Sequence, residues 1–336
     1  MKRYFFLIVL ISCLYSCQLS IEKTEISEFP LRQEIRPSVV LTEPVILYPD
    51  AMFIMNDQMW VFQGKKDTIF DVFDIQTCKY LFSTGTKGRG PEDFLSPVGQ
   101  TIQAENVFFT ILDHNNLKTV VWQPDFGLHT VSVQKTFDLS PINGFIKLND
   151  TLFCAFADCA TRSTSDFEFQ LKNIHDNSII KFSTYPEYLA KRKFDQETRC
   201  QIYYKYLVAN PVKRKFAAFY SRYKVFRLFS YEGILEKEIH VNIPPFQIRD
   251  VENSEKRIFF YARVVSTDQY IYAYCASNKE IQVWDWDGNP IIVYSLDRDY
   301  FRFTVSEEHK KIYLTSIEEM DLNKFFVFDM LHIEPQ

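Results

Sequence analysis

Residues able to do chemistry are present in this chain of 336 residues, but their spacing is uninformative. The six histidines, at 114, 129, 175, 240, 309 and 332, are scattered. None falls in the HxH, HxxxH or HExxH spacing that would set two imidazoles on one metal ion. No G-x-S-x-G elbow is available to present a serine nucleophile. Beyond the leader, Cys78, Cys154, Cys159, Cys200 and Cys275 form an odd set without a CxxC pair, which argues against a disulfide framework and a zinc cluster alike. They read as small buried apolar residues, and Cys154 could meet Cys159 only if Ala155 to Asp158 turned back. Asn56, Asp57, Asp113, Asn149 and Asp268 carry oxygen atoms of the kind calcium takes, yet such residues are equally at home in turns. No cofactor is therefore expected, and no catalytic residue is assigned.

Two stretches stand apart. Gly85-Thr86-Lys87-Gly88-Arg89-Gly90-Pro91-Glu92-Asp93-Phe94 is rich in glycine in a chain with only 9 glycines. Gly85, Gly88 and Gly90 permit positive φ in a sharp crossing, and Pro91 stiffens it. It is no phosphate loop, because no G-K-[ST] follows. Arg89, Glu92 and Asp93 are its candidate ligand-binding residues. The second stretch, 191–227, holds eleven Lys and Arg residues against Asp195 and Glu197, a local net charge of +9 in a chain of net charge −5. Lys213, Arg214 and Lys215 are its candidate contacts to an anionic partner, and Tyr203, Tyr204, Tyr206, Phe219, Tyr220 and Tyr223 are interleaved as possible stacking surfaces. A solvated face with core aromatics is the plainer reading. The acidic balance elsewhere and the leader favour glycan, lipid head group or protein over nucleic acid.

The elements that must position these residues are strands. In Glu280 to Leu296, Ile281 and Val283 share one face, Gln282, Trp284 and Trp286 take the other, and Asp287-Gly288-Asn289 turns the chain into a second strand at Ile291 to Tyr294. Equivalent strand-then-turn segments lie at Asp71 to Asp74, Val120 to Trp122, Gln170 to Lys172, Phe226 to Phe229, Val283 to Gly288 and Phe325 to Asp329. Each follows another short strand rich in aromatic or β-branched residues: 59–62, 107–110, 151–154, 216–219, 270–273 and 311–314. The turn residues Asp125, Asp176, Glu232 and Asp287 lie 51, 56 and 55 residues apart. Four antiparallel strands fill such a period, and six radial copies predict an all-β, six-bladed β-propeller of four-stranded blades. The 32 phenylalanines and 19 tyrosines suit so many short strands. Few residues follow Asp329, so Arg36 to Thr42 is expected to pair with the last blade and close the ring. A helix or long loop is expected over 184–204.

The chain opens with Lys2 and Arg3, an apolar run from Tyr4 to Ile11, and then Ser12-Cys13 and Ser16-Cys17. This is the layout of a processed leader; eight apolar residues cannot span a bilayer, which takes about 20. Leu14-Tyr15-Ser16-Cys17 resembles the lipobox of bacterial lipoproteins, which implies residues 1–16 as signal peptide and lipidation at Cys17; Leu10-Ile11-Ser12-Cys13 is the other candidate. Residues 17–33 read as a polar tether, and 34–336 as the propeller.

The Gly85 to Phe94 loop, followed by Ser96-Pro97, is similar to the inter-blade loop of NHL-type propellers. More closely it resembles the TolB-like six-bladed propeller lipoproteins of Bacteroidetes, whose first blade ends in G-x-G-P-x-x-F; Asn210 to Tyr220 resembles the start of that family's fourth blade. The resemblance implies an exported outer-membrane lipoprotein, on the periplasmic or cell-surface side. The expected role is a non-catalytic binding or scaffold module for an envelope protein, peptide or anionic glycan, working as a monomeric ring. The alternative is a calcium-dependent lactonase or other hydrolase, since some six-bladed propellers hold calcium in the channel.

Overall fold

The computed structural model describes residues 22–105, 108–113, 116–123, 130–138, 145–156, 167–186, 202–243 and 259–331. Three short strands come first: β1 (Glu22–Ile26), β2 (Arg32–Glu34) and β3 (Ser38–Leu41). Blade one follows as β4 (Ala51–Met55), β5 (Gln58–Phe62), β6 (Thr68–Asp74) and β7 (Tyr80–Thr86). Blade two is β8 (Pro97–Ala104), β9 (Phe108–Asp113), β10 (Asn116–Gln123) and β11 (Thr130–Asp138), and blade three is β12 (Phe145–Lys147), β13 (Leu152–Phe156), β14 (Phe167–Asn173) and β15 (Ile179–Thr184). Blade four comprises β16 (Lys205–Asn210), β17 (Lys215–Tyr220), β18 (Val225–Ser230) and β19 (Leu235–Val241). Blade five comprises β20 (Tyr261–Ser266), β21 (Tyr270–Cys275), β22 (Glu280–Asp285) and β23 (Pro290–Ser295). Blade six takes β24 (Arg302–Ser306), β25 (Lys311–Thr315) and β26 (Lys324–Asp329) from the carboxyl end.

Its fourth strand is β3, antiparallel to β26 with Lys324 opposite Leu41 and Val327 opposite Ser38. The first strands of the six sheets neighbour one another in a closed cycle, β4 to β8, β12, β16, β20, β24 and back to β4. The ring is a six-bladed propeller around a central channel.

Packing explains why the middle strands were so visible. Each blade is apolar on both faces because each face meets a neighbouring blade, so the core is a set of separate inter-blade layers. Phe53, Trp60, Phe70, Phe109 and Ile111 join blades one and two. Phe169, Phe182, Phe216 and Phe229 join three and four. Blade six meets blade one through Met59, Phe73, Tyr313 and Phe325, with the Tyr313 hydroxyl donating to the Ile75 carbonyl at 2.8 Å. In the Glu280 to Leu296 hairpin, Trp284 packs toward blade four against Phe226, at 4.8 Å between centroids, while Ile281 and Val283 pack toward blade six. Trp286 lies in the turn, fully buried, and its Nε1 donates to the Thr267 carbonyl at 2.9 Å.

The tether expected over residues 17–33 is corrected from Glu22 onward. β1 adds a fifth strand parallel to β19, and β2 adds one parallel to β23. Their pairing is through backbone amides on outer edges with largely solvated side chains, so no apolar period marks them in the sequence. The helix or loop expected over 184–204 falls mostly outside the described residues, as do Cys13, Cys17, Cys159 and Cys200. Cys78, Cys154 and Cys275 are free and buried, and burial pushes the Cys78 thiol up to about 11.

Candidate functional site

Polar and aromatic side chains from several blades gather near the start of the inner strands, at the end of the channel served by the blade-to-blade crossings. Tyr204 immediately precedes β16, and its hydroxyl donates to Gln100 Oε1 of β8 at 2.7 Å, joining blade four to blade two. Tyr206 on β16 meets the Tyr204 ring edge-on, with centroids 5.5 Å apart. Arg263 of β20 donates from Nη1 to the Tyr206 hydroxyl and to the Ala262 carbonyl, both at 2.7 Å. Its guanidinium lies 5.4 Å from the Tyr206 ring centroid. Arg302, the first residue of β24, donates from Nε to the Asp50 carbonyl at 2.7 Å and from Nη1 to the Phe301 carbonyl at 2.9 Å. It stacks on Phe301 at 3.8 Å, and Tyr48 meets Phe301 edge-on from the approach to β4. The Tyr204–Gln100 bond skips blade three and so reaches across the channel, whereas the Arg263–Tyr206 and Arg302–Asp50 contacts join neighbouring blades.

Electrostatics couples them. Burial pulls the Arg302 guanidinium down from its ordinary value and the positive charge of Arg263 pulls it further, while the Asp50 carboxylate and the Tyr206 and Tyr48 hydroxyls oppose this in part. Burial and the neighbouring Tyr206 push the Tyr204 hydroxyl up to about 12, against the opposing pull of Arg263 and Arg302. Among the described residues neither arginine has a carboxylate within ion-pair distance; their partners are carbonyls and one phenol. Two guanidinium groups flanked by aromatic faces and an amide are donors of the kind that suit a planar or tetrahedral anion.

The sequence-level candidates are distributed differently. The Gly85 to Phe94 loop does join β7 to β8, but its contacts are largely internal. Phe94 is a fully buried wedge against Phe70 between blades one and two. Asp93 Oδ2 accepts from the Gly90 amide at 2.8 Å, and the Asp93 carbonyl accepts from Lys118. Gly85 has φ +78°, whereas a Cβ at Gly88 or Gly90 would stand 2.3 or 2.8 Å from the Asp93 carboxylate. Positive φ is thus required only at Gly85, and the other two glycines are needed for space. Arg89 and Glu92 are exposed on this loop.

The basic stretch does not form one face. Lys205 and Arg227 are buried with Glu168 between blades three and four; Arg227 also reaches Glu238 at 2.5 Å. Arg214 pairs with Glu232 at 2.8 Å, and Lys215 with Asp287 at 2.8 Å and Glu236 at 3.2 Å. Lys213 is exposed in the same β16–β17 turn, at the opposite end of the blade from Tyr204. Phe219, Tyr220 and Tyr223 are core residues; of the interleaved aromatics, Tyr204 and Tyr206 reach the channel. Lys191, Arg192, Lys193 and Arg199 lie outside the described residues.

Nor are the oxygen-bearing candidates brought together. Asp113 pairs with Lys118 at 2.7 Å and accepts from the Leu95 and Ser96 amides at 3.1 and 2.6 Å. Asn149 caps its own turn through the Thr151 and Leu152 amides. Asn56, Asp57 and Asp268 occupy turns between first and second strands, at the opposite channel end from Asp113. Asp57, Glu308 and His309 bring ligand-type atoms within 4.8 Å of one another, but Asp57 and Glu308 are exposed, and exposed acidic groups commonly lie this close without an ion.

Sequence reasoning missed Arg263, Arg302 and Gln100. They lie on three strands far apart in the chain, and the one available signal is an arginine or amide placed where each first strand should begin.

The architecture defines a six-bladed propeller with an arginine- and tyrosine-lined channel end. A family model described as TolB-like 6-blade propeller-like matches residues 29–308, and the chain belongs to that family. Among solved structures it is similar to a Bacteroides fragilis protein described as exported, with TM-score 0.57 and 12% identity over 92% of this chain and 99% of that one. It is also similar to a member of the DUF4221 family from Bacteroides vulgatus, with TM-score 0.53 and 12% identity over the same shares. No curated protein matches the chain.

Proposed function

We propose that this protein is an exported envelope lipoprotein that binds a partner as a non-catalytic module, with the channel end around Arg263 and Arg302 as its recognition face. The observation that carries this reading is the placing of two guanidinium groups on adjacent blades, Arg263 over the Tyr206 ring and Arg302 over the Phe301 ring, at one end of the channel. The leader expected over residues 1–16, and the exported protein among the structural neighbours, support the location. With lipid on Cys17, four residues separate the anchor from β1 and span at most about 14 Å. The rim of blade four then sits against the membrane surface, whichever leaflet it occupies.

The test is affinity capture from solubilised envelope fractions with the full mature chain and with Arg263→Glu. A protein or glycan retained by the first and lost by the second supports the reading; equal retention by both, or none by either, refutes it. Mass analysis of the mature amino terminus checks the anchor, and an unmodified terminus downstream of Cys17 removes it. The hydrolase alternative predicts calcium-dependent lactone cleavage.

A further inference from the structure

We infer that the channel end recognises an acidic saccharide, with the carboxylate or sulfate of the sugar held between Arg263 and Arg302. This inference rests on the binding-module reading above and adds the chemistry of the ligand.

Three features point to that class. First, the charge is concentrated and only partly compensated. Arg302 is 8% exposed, yet among the described residues its hydrogen bonds go to carbonyl oxygens, and the Asp50 carboxylate acts on it only from beyond ion-pair distance, against the field of Arg263. A pair of like charges held together at low solvation is unfavourable until an anion joins them. Arg263 Nε is buried without a hydrogen-bond partner among the described residues, so the donor set is incomplete as it stands. Guanidinium forks match the two-oxygen edge of a carboxylate or sulfate in a way that an ammonium group does not.

Second, the walls beside the charges are aromatic rings with polar edges. Tyr204 and Tyr206 stand at right angles, 5.5 Å apart, and Phe301 lies beyond Arg302. Ring faces suit the C–H face of a pyranose, while the Tyr204 hydroxyl and the exposed Gln100 amide offer donors and acceptors to sugar hydroxyls. Third, a peptide bound by strand addition would need an open sheet edge. The charged and aromatic groups here are instead side chains converging from different blades, which suits a compact ring better than an extended backbone.

The experiment is isothermal titration of the full mature chain with trigalacturonate, a heparin-derived hexasaccharide, neutral maltohexaose and an acidic hexapeptide of Asp and Glu. Arg263→Gln and Tyr204→Ala are measured beside the wild type, with thermal melts to confirm folding. The expected result is binding of trigalacturonate or the heparin hexasaccharide and none of maltohexaose. Each variant should weaken that binding at least tenfold, and added salt should weaken it too. Binding of the acidic peptide alone, binding undiminished in both folded variants, or no saccharide bound by the folded wild type overturns the inference. If Arg263-dependent capture of an envelope partner persists while neither acidic saccharide binds, the binding module stands and the ligand class falls.

Discussion

The Tyr204 hydroxyl and the Gln100 side-chain amide meet at 2.7 Å although 104 residues separate them in the chain. Blade three lies between their blades in the ring, so the bond is a chord across the channel. Removing the hydroxyl with Tyr204→Phe should cost about 0.5–1.5 kcal/mol. A double-mutant cycle with Gln100→Ala, read by urea unfolding, should show the two losses to be non-additive. Strict additivity would mean that the chord contributes nothing to stability.

Glu168 accepts from Lys205, Arg227 and the Tyr220 hydroxyl, all buried. Glu168→Ala leaves two buried cations without their shared carboxylate and should destabilise the protein by roughly 3–5 kcal/mol. Replacing Glu168 and Lys205 together by apolar residues should recover part of that loss. A double variant as unstable as Glu168→Ala would show that the pair itself is not the cause.

The acid limb of stability should depend on Glu238. Burial pushes its carboxyl up, but hydrogen bonds from His240 and the Arg227 guanidinium more than offset this and hold it at about 2, below the ordinary 4.5. A carboxylate lowered on folding adds stability that is complete above about pH 4.5 and vanishes as pH falls through 2. The contribution is at most about 3 kcal/mol. Denaturant titrations between pH 6 and pH 2 should show a steep loss in the wild type and a flatter profile in Glu238→Gln; parallel profiles would contradict the assignment.

In the Gly85 to Phe94 loop, the two kinds of glycine make separable predictions. Gly85→Ala forces a side chain to φ +78° with its Cβ 2.7 Å from Phe70, costing about 1–3 kcal/mol in any background. Gly88→Ala collides with the Asp93 carboxylate, so its penalty should shrink when Asp93→Ala is also present. Thermal melts of the four variants distinguish strain from crowding.

Deleting residues 30–44 removes β2 and β3 together, and with them the outer strand of blade six. The melting temperature should fall strongly; an unchanged value would mean that the ring stays closed without these strands.

The blades were legible because their second and third strands are buried on both faces and carry aromatic residues in nearly every copy. Trp60, Phe109, Phe153, Phe219, Tyr272 and Tyr313 occupy second strands alone. Outer strands were less legible: Glu22 to Ile26 offers backbone pairing and little apolar surface. The +9 stretch misled because a window of sequence contains no information about distant partners. Glu168 lies 59 residues from Arg227, and Asp287 lies 72 from Lys215. The channel end was hidden for the same reason, since Arg263 and Arg302 come together only when blade six packs against blade five.

The amino-terminal strands carry one more consequence. β1, β2 and β3 come first in the chain, yet they pair with blades four, five and six in that order. A chain synthesised from its amino end must therefore hold these segments in reserve until the last blades exist. A copy interrupted before β26 leaves β3 without its partner and the ring open. The order of the strands thus acts as a check on completeness, since only a chain that has reached blade six can close the ring.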